Sequence, residues 1–309
     1  VCCLSSLNIE KYDEWKDDKN FIPDVMRFLD NVLTDFIEKA PEEFSDATYS
    51  AMKERSVGLG VMGLHSFFQQ KMIPLESVMS KVWNKKIFEH IQKDVDRASK
   101  DLAEERGACP DAEDYGIKER FSNKTAIAPT ASISIICGGT SPGVEPIAAN
   151  SYTHKTLSGS FNVRNRYLEK LLEKHNKNDD ETWSGITTNQ GSVSHLDFLT
   201  QQEKDVFKTA FELDQKWIVE LGADRTPHIS QAQSINIFVP ADIHKKELHQ
   251  IHFQAWKKGL KSLYYCRSKS IQRAENVNDA KLTDVTANVY KSKNKQNEEQ
   301  EYEECLSCQ

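Results

Sequence analysis

The sequence predicts an α/β fold, and two stretches carry that expectation. Arg55-Ser-Val-Gly-Leu-Gly-Val-Met-Gly63 mixes β-branched residues with glycines, as a buried strand ending in a tight turn would, and Leu64–Gln70 continues at once in helical chemistry. Ser234–Val239 alternates as a strand, His244–Lys258 follows as a helix, and Leu260–Cys266 is a second strand-like segment. Strand, helix and strand in that order favour parallel pairing, because the helix returns the chain over the sheet.

The remaining elements follow in order. Val25, Phe28, Leu29, Val32, Leu33, Phe36 and Ile37 recur at helical spacing over Asp24–Lys39, bracketed by Pro23 and Pro41. A long surface helix is expected from Glu76 to Arg106, where Val78, Val82, Ile87, Ile91, Val95, Ala98 and Leu102 stand among many charges and Gly107 marks the stop. Lys124–Pro129 reads as a short apolar strand. The hydroxyl-rich Thr130–Ser134 follows it, and then Gly138, Gly139, Pro142, Gly143 and Pro146 make a structured loop. Thr200 and Glu203 have the spacing of a capping box ahead of Val206, Phe207, Ala210, Phe211, Trp217, Ile218 and Leu221, predicting one helix closed by Gly222. Beyond about Ala274 apolar residues thin out, and Lys291–Glu304 has no aliphatic residue, so a mobile polar tail is expected.

Length and composition bound the function. A chain of 309 residues suits two compact domains or one large α/β unit, and 38% hydrophobic with 28% charged residues excludes disordered, collagenous and disulfide-scaffold classes. A net charge of −7 argues against a protein that wraps nucleic acid, and no apolar run approaches the roughly 18 residues of a membrane span. The chain opens Val1-Cys2-Cys3-Leu4 without an initiator Met or a signal-type segment, and reads as the middle of something longer.

Seven dispersed cysteines favour a reducing compartment with free or catalytic thiols, hence the cytoplasm, or a host's cytoplasm if the protein is viral. Cys305 and Cys308 form a C-x-x-C pair at the end of the polar tail, where a flexible arm would carry a dithiol to a distant partner; flanking Glu303 and Glu304 should raise rather than lower a thiol pKa. Pro129-Thr130-Ala131-Ser132-Ile133 at a strand end suits a phosphate cradle, though composition alone leaves an ordinary turn open. Tyr264 and Tyr265 on a strand would face opposite sides, one in a core and one at a surface; electron or proton-coupled transfer is the functional alternative. Cys2 and Cys3 look like small buried hydrophobes. Nine histidines lack metal-ligand spacing, and no Ser-His-Asp arrangement or GxGxxG motif is present.

Taken in order, Cys2-Cys-Leu-Ser-Ser-Leu-Asn8, Arg55–Gly63, Ala128-Pro-Thr-Ala-Ser-Ile-Ser134, Gly143-Val-Glu-Pro146, Gln233-Ser-Ile-Asn-Ile-Phe238, Leu260-Lys-Ser-Leu-Tyr-Tyr265 and the terminal cysteine pair resemble the large, catalytic subunit of class I ribonucleoside-diphosphate reductase. The resemblance runs the length of the chain. It implies the C-terminal half of that family's ten-stranded α/β barrel over residues 1–273, with a redox tail over 274–309. Cys2 matches a barrel cysteine that supplies reducing equivalents and becomes a disulfide in each turnover; Cys3 falls where most members carry Thr or another small residue. Thr130, Ala131, Ser132 and Ile133 match the loop that holds the substrate's diphosphate. Tyr264 and Tyr265 match the pair that hands a radical towards the active-site cysteine. Cys305 and Cys308 match the tail thiols that re-reduce the barrel disulfide and are renewed by thioredoxin or glutaredoxin.

The family's Asn-x-Cys-x-Glu loop, which carries the thiyl cysteine, is absent from this sequence. The resemblance therefore implies the C-terminal piece of a split or truncated large subunit, complete only with an N-terminal large-subunit fragment that also binds the nucleoside triphosphate effectors. It implies no metal or cofactor on this chain, a radical delivered from a di-iron tyrosyl-radical small subunit, and a ribonucleoside diphosphate as substrate. The alternative is an inactive fragment retained as a binding module for the small subunit or thioredoxin. Retention of Cys2, the tyrosine pair and the tail dithiol favours the first.

Overall fold

Five extended segments pair side by side in the order in which they occur along the chain, in a computed structural model that describes residues 1–156 and 159–268. The expected tail, 274–309, with Cys305 and Cys308, lies outside the described residues. β1 (Leu4–Asn8) lies parallel to β2 (Gly58–Met62), with Leu4 opposite Gly58 and Asn8 opposite Met62. The ribbon continues beyond β2 through single parallel bridges, Leu59 with Thr125 and Ile127 with Gln233. β5 (Ile237–Val239) then pairs in parallel with β6 (Cys266–Ser268). Main-chain bonds join the segments throughout: Leu59 N–H donates to Lys124 C=O at 2.9 Å, Ser234 N–H to Ile127 C=O at 2.9 Å and Tyr264 N–H to Ile235 C=O at 2.8 Å.

Helices fill the crossovers, as parallel strands require. Between β1 and β2 lie α1 (Tyr12–Trp15), α2 (Phe21–Lys39) and α3 (Ser45–Glu54). Between β2 and the 125–127 segment lie α4 (Leu64–Gln70), α5 (Val78–Arg106) and α6 (Pro110–Glu113). The next crossover holds α7 (Ala131–Ile136), an antiparallel hairpin of β3 (Ser151–Thr156) and β4 (Gly159–Arg164), then α8 (Arg166–Lys174), α9 (Asp180–Thr188), α10 (Gln201–Val206) and α11 (Gln215–Arg225). α12 (Lys245–Lys257) leads into β6. The alternation bears out an α/β fold.

The long helices form where the apolar spacing places them. α2 buries Ile22, Met26, Leu29 and Leu33 against Ile87, Ile91, Val95 and Leu102 of α5 in one core with β1 and β2; each such side chain withdrawn from water contributes roughly 1.5–3 kcal/mol. The Ser77 side chain accepts the Ser80 amide to start α5, which ends at Gly107 as expected. α2 begins at Phe21 rather than Asp24, because Pro23 sits in the first turn, where its missing N–H costs nothing. Gly60 has no room for a side chain: a Cβ there would lie 2.2 Å from the Ala126 carbonyl oxygen, so the strands approach as closely as they do only because it is glycine.

Two expectations are corrected. The single helix from Thr200 to Gly222 is two helices. The capping box does start α10, with Thr200 accepting the Glu203 amide and Glu203 accepting the Thr200 amide, but tertiary partners claim the amides beyond it. Ala210 N–H donates to Ile147 C=O at 2.8 Å and Asp214 N–H to Glu76 at 2.6 Å, after which the Asp214 side chain caps α11. Gly222 lies inside α11, where a Cβ would meet Ile235 Cδ1 at 2.7 Å. The final strand begins at Cys266, not at Leu260.

A buried ion cluster locks the helical layer. Asp30 of α2, fully buried, accepts from Arg55 Nη2 at 2.6 Å, Arg120 Nε at 2.9 Å and Arg106 Nη1 at 2.8 Å. Burial pushes this carboxyl up, but Arg120 and Arg55 outweigh it and hold it below the usual carboxylate range.

Candidate functional site

The hydroxyl-rich segment after the third extended segment does open a helix. Thr130 takes the left-handed conformation (φ +56°), and α7 begins at Ala131. The amides of Ala131, Ser132 and Ile133 belong to the first turn, which an α-helix leaves without intrahelical acceptors. Ala131 is half-buried, Ser132 and Ile133 are exposed, and the Thr130 hydroxyl accepts the Gly143 amide at 2.7 Å. The strained residue is thereby pinned by the Pro142–Pro146 turn.

That turn also carries an unusually placed carboxyl. Glu145 is only 8% exposed, and its carboxylate is hydrogen-bonded by an amide rather than by a cation: Asn236 Nδ2 donates to Glu145 Oε1 at 2.6 Å. Burial pushes the Glu145 carboxyl up to about 7, against lowering by Asn236 and Arg267. Asn236, itself buried, accepts the Tyr265 amide through Oδ1 at 3.0 Å. Through these contacts one turn reaches both the α7 cap and the tyrosines.

Tyr264 and Tyr265 do not divide between a core and a surface, as strand geometry predicted. They are 42% and 41% exposed, their ring centroids stand 4.1 Å apart, and the two hydroxyls are 3.4 Å apart. Both amides turn towards the same neighbouring segment, Tyr264 to the Ile235 carbonyl and Tyr265 to the Asn236 side chain, which breaks the alternation of a regular strand. Arg267 lies over the Tyr265 ring at 5.4 Å.

The two leading cysteines separate. Cys3 is buried, its thiol 3.6 Å from the Leu29 carbonyl oxygen and its pKa pushed up by burial, the ordinary fate of a core thiol. Cys2 is exposed, which corrects its reading as a buried hydrophobe and leaves its thiol accessible. His65 is a satisfied core histidine: Nδ1 accepts the Ile147 amide at 3.0 Å, and burial lowers its pKa to about 3. Among the described residues no group of three His, Cys, Asp or Glu side chains is placed to hold a metal ion, and no helix is long and apolar enough to cross a membrane.

Glu145 and Asn236 stood in the sequence within Gly143-Val-Glu-Pro146 and Gln233–Phe238 without an assigned role. An acidic residue between two prolines in a glycine-rich turn was the available signal, but its burial against a distant amide is not local information.

Comparison with known proteins joins these observations. The ribonucleotide reductase barrel-domain model matches residues 1–119 and 111–266. The chain is 53% identical over 281 residues to the ribonucleoside-diphosphate reductase large subunit of Invertebrate iridescent virus 6, covering 90% of this chain and 29% of that protein. It is 38% identical over 312 residues to a putative large subunit of Frog virus 3, covering 100% of this chain and 52% of that protein. A solved Actinobacillus ureae class Id ribonucleotide reductase alpha subunit superposes with a TM-score of 0.82 at 38% identity, over 89% of this chain and 51% of that one. The chain thus spans about half or less of these relatives. A parallel ribbon with helical crossovers, matched almost throughout by one family model, places the chain in the ribonucleotide reductase large-subunit family, whose barrel domain it forms in part.

Proposed function

We propose that this chain is the C-terminal part of a ribonucleoside-diphosphate reductase large subunit, active when an N-terminal fragment supplies the Asn-x-Cys-x-Glu loop and a small subunit supplies the radical. Substrate diphosphate rests on the first turn of α7, its negative charge meeting the amides of Ala131, Ser132 and Ile133 and the hydroxyl of Ser132. Tyr264 and Tyr265 pass the radical between their adjoining rings towards a thiyl cysteine on the fragment.

The thiyl takes the 3′ hydrogen of the ribonucleotide. The 2′ hydroxyl then leaves as water while two thiols, one of them Cys2, give up two electrons and two protons and close a disulfide. The 3′ hydrogen returns and the deoxyribonucleotide is released. Cys305 and Cys308 reduce that disulfide by exchange, becoming a disulfide themselves, and thioredoxin or glutaredoxin restores them. The exposure of Cys2, against the burial of Cys3, supports Cys2 in this role.

The observation that supports the reading is the chain of contacts from Thr130 through Gly143 and Glu145 to Asn236 and Tyr265, which links the α7 cap to the tyrosine pair. Mixing the chain with an N-terminal fragment and the small subunit should restore reduction of ribonucleoside diphosphates. Complex formation without turnover would overturn this reading in favour of a binding module. Tyr264→Phe and Tyr265→Phe should each lower turnover by at least about a thousandfold with unchanged folding, because phenylalanine has no proton to release.

A further inference from the structure

Three carboxyls are buried among the described residues, and two of them have cations on their oxygens: Asp30, and Glu10, which accepts from Arg166 Nη2 at 2.6 Å. Asp30 is surrounded by guanidinium groups, whereas Glu145 is buried on an amide. Burying a carboxyl with so little charge compensation is unfavourable, so its retention in a packed turn needs a counterpart elsewhere. The turn supplies one. Gly143 ties it to the α7 cap through Thr130, and two residues later Glu145 ties it through Asn236 to the segment bearing the tyrosines, just ahead of β6. Arg267, two residues past Tyr265, lies over that ring while acting electrostatically on Glu145.

We propose that Glu145 is a positioning residue for the tyrosine pair, holding the Tyr265 main chain through Asn236, beside the Arg267 that covers the Tyr265 ring. The inference deepens the reductase reading and rests on it for its catalytic meaning, but its geometry is independent of turnover. Loss of the carboxylate's charge removes its electrostatic pull on Arg267, and loss of its acceptor oxygen frees the Asn236 side chain that orients the Tyr265 peptide. The two rings at 4.1 Å would then change their relative setting.

Two groups act on Glu145: Arg267 of β6, which favours the carboxylate, and the uncharged Asn236 just before β5, which donates to it. Nearby in sequence, the Ile147 amide is bound by His65 of α4, which its own burial keeps neutral. Burial outweighs Arg267 and Asn236, so the carboxyl gains its charge as pH rises through about 7.

The test replaces Tyr265 by meta-fluorotyrosine in the full chain and follows the fluorine resonance by NMR against pH. The wild-type background should show an inflection near neutrality, distinct from ionisation of the fluorophenol at higher pH. Glu145→Gln, which keeps an acceptor for Asn236, should abolish that inflection and leave the resonance near its low-pH position. Arg267→Gln, on the exposed strand, should move the inflection upward by roughly half a pH unit, because a favourable charge is removed. An inflection that survives Glu145→Gln, or one that Arg267→Gln moves downward or leaves in place, overturns the proposal. No substrate or radical is needed for this measurement, so it stands even where reconstitution yields no turnover. If turnover is restored, Glu145→Gln should flatten the pH profile of kcat around neutrality while KM stays within about twofold, as expected of a group acting on radical transfer rather than on substrate binding. A parallel change in KM with an unaltered kcat profile would count against it.

Discussion

Asp30 and Glu145 are both almost fully buried, and their carboxyls are driven in opposite directions. Three arginines from separate segments converge on Asp30 of α2, and their attraction exceeds the desolvation that burial imposes. Near the tyrosine pair Glu145 meets an amide and one cation at a distance, so desolvation wins. The first arrangement is a fastening between helices, charged at all ordinary pH. The second is a group that can change state under physiological conditions. Burial alone does not tell a structural carboxyl from a functional one; the partners do.

The largest effect should come from breaking the fastening. Asp30→Ala leaves three guanidinium groups gathered around no counter-charge and should cost about 3–5 kcal/mol, measured by urea unfolding. A loss well under this range would mean that the arginines find other acceptors. The same pair predicts a pH signature. Because the folded-state pKa of Asp30 is lowered, its contribution is present above the ordinary value of 3.8 and disappears as pH falls through the lower folded value.

Glu145 should show the reverse. Its raised pKa means that folding is favoured while the carboxyl is protonated, and stability falls as pH rises from its ordinary 4.5 through about 7. Glu145→Gln should therefore be close to neutral at pH 4 and more stable than wild type by about 3 kcal/mol at pH 8. Equal stability of the two proteins across that range would remove the contrast with Asp30. A smaller effect sharpens the comparison at the α7 cap: Thr130→Val keeps the shape but removes the acceptor for the Gly143 amide, and should cost about 1–1.5 kcal/mol in the same unfolding measurement. If Thr130→Val cost as much as Asp30→Ala, the α7 cap would be as firmly fastened as the helical core.

Much of this architecture was legible from periodicity. α2 and α5 fell where apolar residues recur at helical spacing, and the Thr200 capping box marked the start of α10, because these signals depend on neighbours within a few residues. The break after Val206 was not legible, since the amides beyond it are taken by Ile147 and Glu76, both remote in sequence. The tyrosine pair was located by its residues but not oriented, because the turn of its main chain depends on the Asn236 side chain.

The sequence by itself determined the parallel α/β order, the long amphipathic helices, the family resemblance and the identity of the residues that could carry the chemistry. Only the tertiary structure decided that Cys2 is exposed while Cys3 is buried, that both tyrosines face outward with their rings in contact, and that Glu145 lies buried against Asn236. Helix propensity and strand alternation act over a few residues, whereas burial and charge state are set by atoms that segments far apart along the chain bring together.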